Sequence, residues 1–453
     1  MEPIGFYVDG GGKSLRFHLI DVGEGLMTLV AFPDDTTLVF DCNVRREHRD
    51  DILAYLADHI PPRSDPKRRG FGRWIDIFVN SHRDQDHYRG LADLNDAFPV
   101  KSIWDSGQTG ATNRDDGYEF YMRLRRSVKE TYGGRALVVP VPSSTPLVSF
   151  GGADVYCLCS SKEFESQRIF EPDPEEVFEF REPKIQHTNC LALAIHYAGR
   201  AILLTGDTDR TAWREKVVPK FGDTGLMRAN VLVASHHGSR SFFRDDQGEE
   251  TIFSFLDFAY LGAIKRIRPS VTLISCGDYD SNHHPNKEAL EIYEDRTAHG
   301  QVYTTKEHGN FAGLIDSSGR WSVTPARFRS SRKRSGPSFD IRCVYGWFGD
   351  KELMSGDAIE TGTTLEFSVA ARDGLLDPDD KVRVEWEISE GGVSGDHERQ
   401  ALHVKPNPLL FSYGKYKFSW EARYEGRHLV RCRIVNTQTE IDLTRIFVVN
   451  AVK

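Results

Sequence analysis

The sequence predicts an α/β domain followed by an all-β domain. Up to about residue 325, apolar runs typical of buried strands alternate with segments of helical spacing, as in a layered α/β protein. Beyond residue 340 the chain carries short alternating runs typical of strands. Residues 326–340 between them are basic, rich in serine and contain Gly336-Pro337, which is a linker composition. The predicted domains are therefore residues 1–325 and 341–453.

The composition is that of an ordinary globular protein. Of its residues, 39% are hydrophobic and 28% are charged. Its length of 453 residues is enough for roughly two or three domains. Its net charge of −9 argues against a protein that is basic overall. A nucleic-acid substrate would therefore need a local basic patch or metal ions to offset the repulsion of its phosphates.

The cysteines and the hydropathy pattern predict a cytoplasmic protein. The seven cysteines are odd in number and lie mostly inside apolar runs, which is typical of reduced, buried thiols rather than of a disulfide framework. The N-terminus lacks the apolar region of a signal peptide, and no apolar run approaches the roughly 18 residues of a membrane span. We therefore expect no membrane partner.

The first elements are three short strands and a helix. Apolar runs at residues 15–23, 27–32 and 36–41 predict the strands, and the third ends in the carboxylate of Asp41. Residues 46–59 show helical spacing of their apolar side chains. A further apolar run at residues 74–79 predicts a buried strand that leads directly into a polar loop.

That loop, residues 81–87, carries four side chains able to bind a metal: His82, Asp84, Asp86 and His87. Imidazole and carboxylate are ligands that suit zinc, manganese or iron, and carboxylates held this close together favour a cation between them. The alternative is a solvated polar loop, which most clusters of aspartate and histidine are. Matching groups later in the chain favour the metal.

Three later apolar strands also end in histidine or aspartate. Residues 201–207 end at Asp207, residues 230–235 lead into His236 and His237, and residues 271–277 lead towards His284. Strand ends on one edge of a sheet converge, so we expect these side chains to meet the 81–87 loop. Together they supply enough ligands for two ions that share Asp207.

These segments resemble the metallo-β-lactamase superfamily. More narrowly, they are similar to the ComEC-type hydrolase domain of the DNA-uptake channel and to teichoic-acid phosphorylcholine esterases. The matching pieces appear in family order across roughly residues 13–325, and as a set they are specific. They are residues 20–25, 39–43, 81–87, 189–191, 203–207, 235–239 and 284–285.

The resemblance implies a four-layer αββα sandwich with a two-metal site at one edge. One ion would take His82, Asp84, His237 and Asp207; the other would take Asp86, His87, Asp207 and His284. The catalytic residues would be Asp86 and His236, with His236 facing the substrate phosphate and assisting the leaving group. Asp41 would support the first loop from behind the ligands.

One residue departs from the family pattern. The usual motif is His-x-His-x-Asp-His, and Asp84 stands here in place of the second histidine. A carboxylate makes that site harder and more negative, which favours Mn²⁺ or Fe²⁺ relative to Zn²⁺. The expected cofactors are therefore two divalent ions, zinc or manganese, with iron as a further candidate.

The C-terminal strands, at residues 364–369, 382–388 and 443–450, predict an immunoglobulin-like β-sandwich. Segments 384–388, 421–432 and 447–450 resemble the C-terminal sensor domain found beside bacterial adenylyl/guanylyl cyclases and oligonucleotide synthases (SMODS). That resemblance implies a nucleotide second messenger as ligand, with contacts from Trp386, Tyr424, Arg427 and His428. The alternative is that Trp386 and Tyr424 fill the sandwich core.

The function expected from both resemblances is a metal-dependent phosphodiesterase or nuclease that acts in anti-phage defence under nucleotide control. Its substrate would be a nucleic acid or another nucleotide phosphoester. Two alternatives stay open: a hydrolase of small phosphoesters or carboxylic esters, and a non-catalytic nucleotide-binding module with a vestigial site. The sequence gives neither the substrate nor the oligomeric state.

Overall fold

The structure, a computed structural model, falls into two compact units. One comprises residues 1–43, 75–91 and 100–331, and the other residues 44–74, 92–99 and 332–453. The structure describes residues 13–46, 48–61, 63–64, 71–107, 115–161, 183–244, 259–277, 284–326, 338–346, 351–353, 355, 357–372, 382–391, 417–423, 426–436 and 441–452.

The strands, in chain order, are β1 (Ser14–Leu19), β2 (Thr28–Ala31), β3 (Thr37–Phe40), β4 (Cys42–Asn43), β5 (Arg63–Ser64), β6 (Phe71–Gly72), β7 (Ile77–Asn80), β8 (Tyr88–Arg89), β9 (Ile103–Asp105), β10 (Leu137–Val138), β11 (Val148–Phe150), β12 (Ala153–Cys159), β13 (Ala192–Tyr197), β14 (Arg200–Leu204), β15 (Val231–Val233), β16 (Val271–Ile274), β17 (Val302–Thr304), β18 (Phe311–Asp316), β19 (Trp321–Pro325), β20 (Ser338–Tyr345), β21 (Lys351–Leu353), β22 (Ala358–Glu360), β23 (Thr364–Arg372), β24 (Val382–Gly391), β25 (Lys417–Glu421), β26 (Gly426–Asn436) and β27 (Ile441–Val452).

The α-helices of the described residues are α1 (Arg49–His59), α2 (Leu91–Ala97), α3 (Asp116–Tyr132), α4 (Pro183–Thr188), α5 (Val218–Phe221), α6 (Gly262–Ile267), α7 (Lys287–Arg296) and α8 (Thr305–His308). A one-turn π-helix, Ala212–Val217, runs directly into α5. The helical spacing of residues 46–59 therefore predicts α1 correctly. Helix α3 begins where the Asp115 carboxylate accepts a hydrogen bond from Tyr118 N at 2.8 Å, a standard N-cap.

The first unit contains two large mixed sheets. The first has eight strands in the order β10-β9-β7-β3-β2-β1-β18-β19, and the second has seven in the order β11-β12-β13-β14-β15-β16-β17. Strands β3 and β7 run parallel in the first sheet, and β14, β15 and β16 run parallel in the second. Their carboxyl ends lead into the segments that the sequence predicts to carry the site.

Both sheets contribute to one apolar core, so they pack as a sandwich. Phe17 and Phe40 from the first sheet belong to the same buried cluster as Leu193, Ile202 and Leu273 from the second. A second buried cluster joins strands of the second sheet to side chains of the helical segments, such as Trp213, Phe221, Ile264 and Tyr293. The predicted α/β class is confirmed, and the full four-layer arrangement stays a prediction.

The second unit contains a β-sandwich. Its sheets, β21-β20-β23-β25 and β22-β27-β26-β24, share a core that includes Phe367 from one and Val430 from the other. Helix α1 belongs to this unit: it contacts β27, and Arg445 Nη1 lies 3.1 Å from Asp51 Oδ1. Strand β20 begins at Ser338, inside the stretch expected to be a linker, and residues 327–337 lie outside the described residues.

Two structural features concern the predicted cytoplasmic location: the state of the cysteines and the character of the helices. All seven cysteines are buried free thiols, as their apolar surroundings predict. Within the described ranges, none of the helices combines the length and the apolar character needed to cross a bilayer. The cytoplasmic location stays a prediction.

Candidate metal centre

The centre lies where strands of both sheets end. Strand β7 delivers the 81–87 loop, in which Gln85–His87 forms a turn of 3₁₀-helix. Leu191, just before β13, donates its backbone N–H to Ser81 O at 2.8 Å, and His236 N donates to Gly206 O at 3.0 Å. These bonds join the ends of β7, β13, β14 and β15 around a single site.

Asp41 fixes the orientation of His87. Its Oδ2 lies 2.8 Å from His87 Nδ1, and its carboxylate also accepts the Ser81 backbone N–H at 2.7 Å and the Ser81 hydroxyl at 2.6 Å. The backbone of Asp41 is in the left-handed region, with φ 58°. These bonds turn His87 Nε2 towards Asp207, which is the supporting position that the resemblance implies for Asp41.

Asp207 is the buried carboxylate at the centre. Its Oδ2 lies 3.3 to 3.8 Å from the Nε2 atoms of four histidines: His82, His87, His236 and His237. Gly206 before it has φ 52°, and a Cβ there would lie 2.7 Å from Cys190 Sγ and 2.8 Å from Ser81 Cβ. Only glycine therefore lets the backbone bring Asp207 this close to its neighbours.

The ligand atoms form overlapping groups around Asp207. His237 Nε2 lies 3.4 Å from Asp86 Oδ2, and these two residues group with His87. His82 groups with Asp84, whose Oδ2 is 3.3 Å from its Nε2, and both group with His187. Asp207 connects these groups, since it lies close to His82 and His87 and also to His187 and His236. The structure thus places His237 beside Asp86, whereas the resemblance assigns it to the ion at His82 and Asp84.

His187 is a site residue that the sequence reasoning missed. It lies on the short helix α4, and its Nε2 is 3.4 Å from Asp84 Oδ2. Its ring centroid is 4.4 Å from that of His236, so it faces the centre. The available signal was its position two residues before the matching segment 189–191.

His284 lies at the margin of the centre. Its ring centroid is 5.3 Å from that of His236 and 5.9 Å from that of His237. It belongs to none of the close ligand groups found among the described residues. The structure therefore brings His284 to the site without placing it among the tightly grouped ligands.

The backbone that presents His236 and His237 is strained. Both residues have left-handed φ/ψ values, 48°/50° for His236 and 55°/27° for His237, which non-glycine residues rarely adopt. The Ser241 hydroxyl lies 2.9 Å from His236 Nδ1 and holds the ring. This conformation directs both imidazoles to the Asp207 side of the loop.

The residues present fit a divalent metal. The Nε2 atoms of His82, His87 and His237 and the Oδ1 atom of Asp207 are buried, and each makes no hydrogen bond to the part of the chain that the structure describes. Ligand atoms about 2.1 Å from a common tetrahedral ion lie about 3.4 Å apart, which is the spacing of the imidazole–carboxylate pairs here. Nitrogen and oxygen ligands of this kind suit zinc, manganese and iron.

The carboxylates control the charge of the site. Burial lowers the pKa of His87, but the charges of Asp207 and Asp86 outweigh it and raise that pKa well above its ordinary value. The pKa of His237 is raised as well, because the charges of Asp207 and Asp86 outweigh the effect of its burial. Burial raises the pKa of Asp207, yet His87 and His237 outweigh that effect and hold the pKa well below its usual range.

His236 behaves in the opposite way. Burial lowers its pKa well below the ordinary value, and the neighbouring charge of Asp207 does not compensate. Its imidazole is therefore neutral near pH 7. In the tautomer in which Nδ1 accepts a hydrogen bond from the Ser241 hydroxyl, the imidazole proton is on Nε2, where it can donate to a bound oxyanion.

The predicted ligand-sensing residues lie in the second unit. Trp386 is buried in the sandwich core, with its ring centroid 6.3 Å from that of Phe367, which is the position that the core-packing alternative predicts. His428 is also buried, 4.9 Å from the ring of Trp420. Tyr424 and the side chain of Arg427 lie outside the described part of the structure.

Comparisons with known proteins give few matches. No family model and no curated protein matches the chain. One match is the structure of Igni18, described as a novel metallo hydrolase from the hyperthermophilic archaeon Ignicoccus hospitalis. The two chains are 11% identical, the match covers 69% of this chain and 100% of the Igni18 chain, and the TM-score is 0.33. Fibronectin(III)-like modules of Clostridium thermocellum CbhA are 16% identical and span 31% of this chain and 60% of theirs, with a TM-score of 0.15. Scores this low carry no argument about function.

Proposed function

We propose that the first unit is a metal-dependent hydrolase of phosphoesters, a phosphodiesterase or nuclease. The observation that carries the proposal is the pair of ligand groups that flank the buried Asp207. His82, Asp84 and His187 form one of these groups, and Asp86, His87 and His237 form the second; Asp207 itself groups with members of each. Sites that hold two ions beside a shared carboxylate are suited to in-line displacement at phosphorus.

The residues of the site would have separate roles in the reaction. Divalent ions, when bound, would supply Lewis acidity and a hydroxide nucleophile near neutral pH. Asp41 holds His87 in the orientation that keeps its Nε2 free for a ligand bond. His236, partly exposed and held by Ser241, would donate its Nε2 proton to an oxygen of the phosphoester and offset charge that develops there.

The first experiment separates reaction classes. The protein, loaded in turn with Mn²⁺, Zn²⁺ and Fe²⁺, is offered bis-p-nitrophenyl phosphate and p-nitrophenyl butyrate. We expect hydrolysis of the phosphodiester to dominate, and Asp207→Ala to abolish it. Asp223→Ala, which removes an exposed carboxylate elsewhere in the same unit, is the matched control. Hydrolysis of the carboxylic ester alone would make the protein an esterase.

A second experiment tests the nuclease form of the proposal. Metal-loaded wild type and Asp207→Ala are offered DNA, RNA and cyclic dinucleotides. Cleavage of a polynucleotide by the wild type alone supports a nuclease, and cleavage of the cyclic dinucleotides alone supports a signal-degrading phosphodiesterase. A metal-loaded wild type that cleaves none of these substrates would refute both forms.

The role of the second unit in anti-phage signalling is a separate proposal, which rests on the sequence resemblance. Calorimetric titration of the full chain with cyclic di- and trinucleotides tests it. Binding that Arg427→Ala removes and Arg342→Ala preserves would support it, because Arg342 is exposed and pairs with Glu352 on the sandwich surface. Failure of every nucleotide to bind would contradict it.

A further inference from the structure

Two side chains that follow Asp207 hold the segment that carries His187. Asp209 Oδ2 accepts the Thr188 hydroxyl at 2.6 Å, and Lys216 Nζ donates to Asn189 Oδ1 at 2.7 Å. Thr188 and Asn189 directly follow His187 in the chain. His187 is therefore fixed by contacts on its C-terminal side that the proposed reaction does not itself use.

The π-helix supplies the geometry of these contacts. Asp209 Oδ1 accepts the Ala212 N–H at 2.8 Å at the start of the π-helix, while its Oδ2 bonds Thr188. Trp213 Nε1 donates to the Thr208 hydroxyl at 2.8 Å and ties the same turn back to the Asp207 loop. Single π-helical turns occur frequently at functional sites, where they redirect side chains.

Lys216 is a charged residue that the π-helix turns inward, together with the apolar Ala212, Trp213 and Val217. It is 4% exposed, although Arg214 and Glu215 beside it are exposed. Besides Asn189, its Nζ approaches Ser160 O at 3.5 Å. A buried ammonium bears a large desolvation cost unless it is hydrogen-bonded, as Lys216 is to Asn189 Oδ1. An apolar side chain of similar volume would need no such bond, so packing alone does not account for a lysine.

We propose that Lys216 and Asp209 are positioning residues that set the place of His187 beside Asp84. The inference rests on the proposed metal centre. Without these contacts, the 187–190 segment would move, and the group of His82, Asp84 and His187 would lose its third ligand. The other group draws its ligands from the 81–87 loop and from the end of β15 and would keep them. Loss of Lys216 would therefore weaken one ion selectively.

The test measures metal binding rather than activity. Wild type, Lys216→Met and Thr188→Val are titrated with Co²⁺, and the visible absorption and the bound metal are followed. We expect about two ions per chain in the wild type, and in both variants one ion bound as before and the other about 10–100-fold more weakly. The Co²⁺ spectrum of the weakened ion should change as well, since it loses a nitrogen ligand.

Two controls match these variants closely. Lys220→Met removes the same charge from the next helix, where Lys220 is exposed and donates to Pro142 O at 2.8 Å. Thr188→Ser keeps the hydroxyl that bonds Asp209. Both should bind two ions with the affinity of the wild type. Thr188→Val is nearly isosteric, so the Thr188 pair decides the question even if Lys216→Met fails to fold.

The outcomes separate this inference from the proposed function. Two ions bound with unchanged affinity in Lys216→Met and Thr188→Val would overturn the positioning role and leave the hydrolase proposal standing. Equal weakening of both ions would also overturn it, because the effect would not be selective. Selective weakening in a protein that cleaves no phosphoester would support the positioning role and refute the proposed reaction. A wild type that binds under about one ion per chain would overturn both.

Discussion

Arg83 Nη2 lies 3.4 Å from Asp105 Oδ2, and both side chains are buried beneath the loop that carries His82 and Asp84. Burial raises the pKa of Asp105, but the charges of Arg83 and Arg125 outweigh it and lower that pKa. Because Arg83 stands between two proposed ligands in the chain, this ion pair anchors the loop from below.

Removal of Asp105 should destabilise the protein strongly. Asp105→Ala would leave the Arg83 guanidinium buried without its carboxylate, and breaking a buried pair on one side costs about 3–5 kcal/mol. Urea unfolding of the metal-free protein measures the change. Glu119→Ala breaks the exposed pair with Arg123 and should cost under about 1 kcal/mol. A similar small loss for both variants would contradict the anchoring role.

Gly206 should tolerate no side chain. At φ 52° an alanine is strained, and its Cβ would lie 2.7 Å from Cys190 Sγ, so the backbone before Asp207 would shift. We expect Gly206→Ala to lower phosphodiesterase activity about 10²-fold, the size of effect that a displacement of about 1 Å produces. Gly199→Ala is the control, since Gly199 has φ 74° but no atom within 4 Å of the added Cβ. Equal activity of the two variants would show that the close approach is unimportant.

The strand ends of the site could be predicted from the sequence for a simple reason. Apolar runs before Asp41, His82 and Asp207 mark buried strands, and the parallel strands of each sheet bring their carboxyl ends to one edge. The grouping of His237 with Asp86 could not be predicted. It depends on the left-handed backbone of His236 and His237, a conformation that no local sequence pattern indicates.

Two other features escaped prediction because they are non-local. The helical spacing of residues 46–59 predicts α1, but its place in the second unit depends on partners such as Arg445, which lies 394 residues from Asp51 in the chain. His187 lies on a helix of only six residues, Pro183–Thr188, too short for a periodic signal. Its place in the centre is visible only in the structure, through its contacts with Asp84 and His236.

Asp41 should be needed for metal affinity. Asp41→Asn keeps the size of the side chain and tolerates the left-handed backbone, but it removes the charge that orients His87 Nδ1. Metal affinity should fall about 10–100-fold, measured by competition with a chelator of known affinity. Asp35→Asn is the matched control, because Asp35 is exposed and also has a positive φ, 67°. An equal affinity in both variants would exclude a supporting role for Asp41.

The metal-free and metal-loaded proteins should respond to pH in opposite directions. The pKa values of His87 and His237 are raised in the folded protein, so their contribution to stability is complete below the unfolded value of about 6.5 and is lost as pH rises through the folded value. The lowered pKa of His236 changes the stability only below about pH 6.5. The lowered pKa of Asp207 keeps its carboxylate charged throughout this range, so it adds no pH dependence there. Above about pH 6.5 the metal-free protein should therefore melt at a lower temperature as pH rises.

Metal binding should reverse this dependence, because a divalent ion displaces the protons held by His87 and His237. The apparent affinity then increases with pH, and the loaded protein gains stability over the same range. Thermal melts of both forms, together with calorimetric titrations in buffers of different ionisation heat, measure the effect. A binding heat that is the same in every buffer, with melting temperatures of the two forms that change in parallel, would show that these imidazoles carry no protons for the metal to displace.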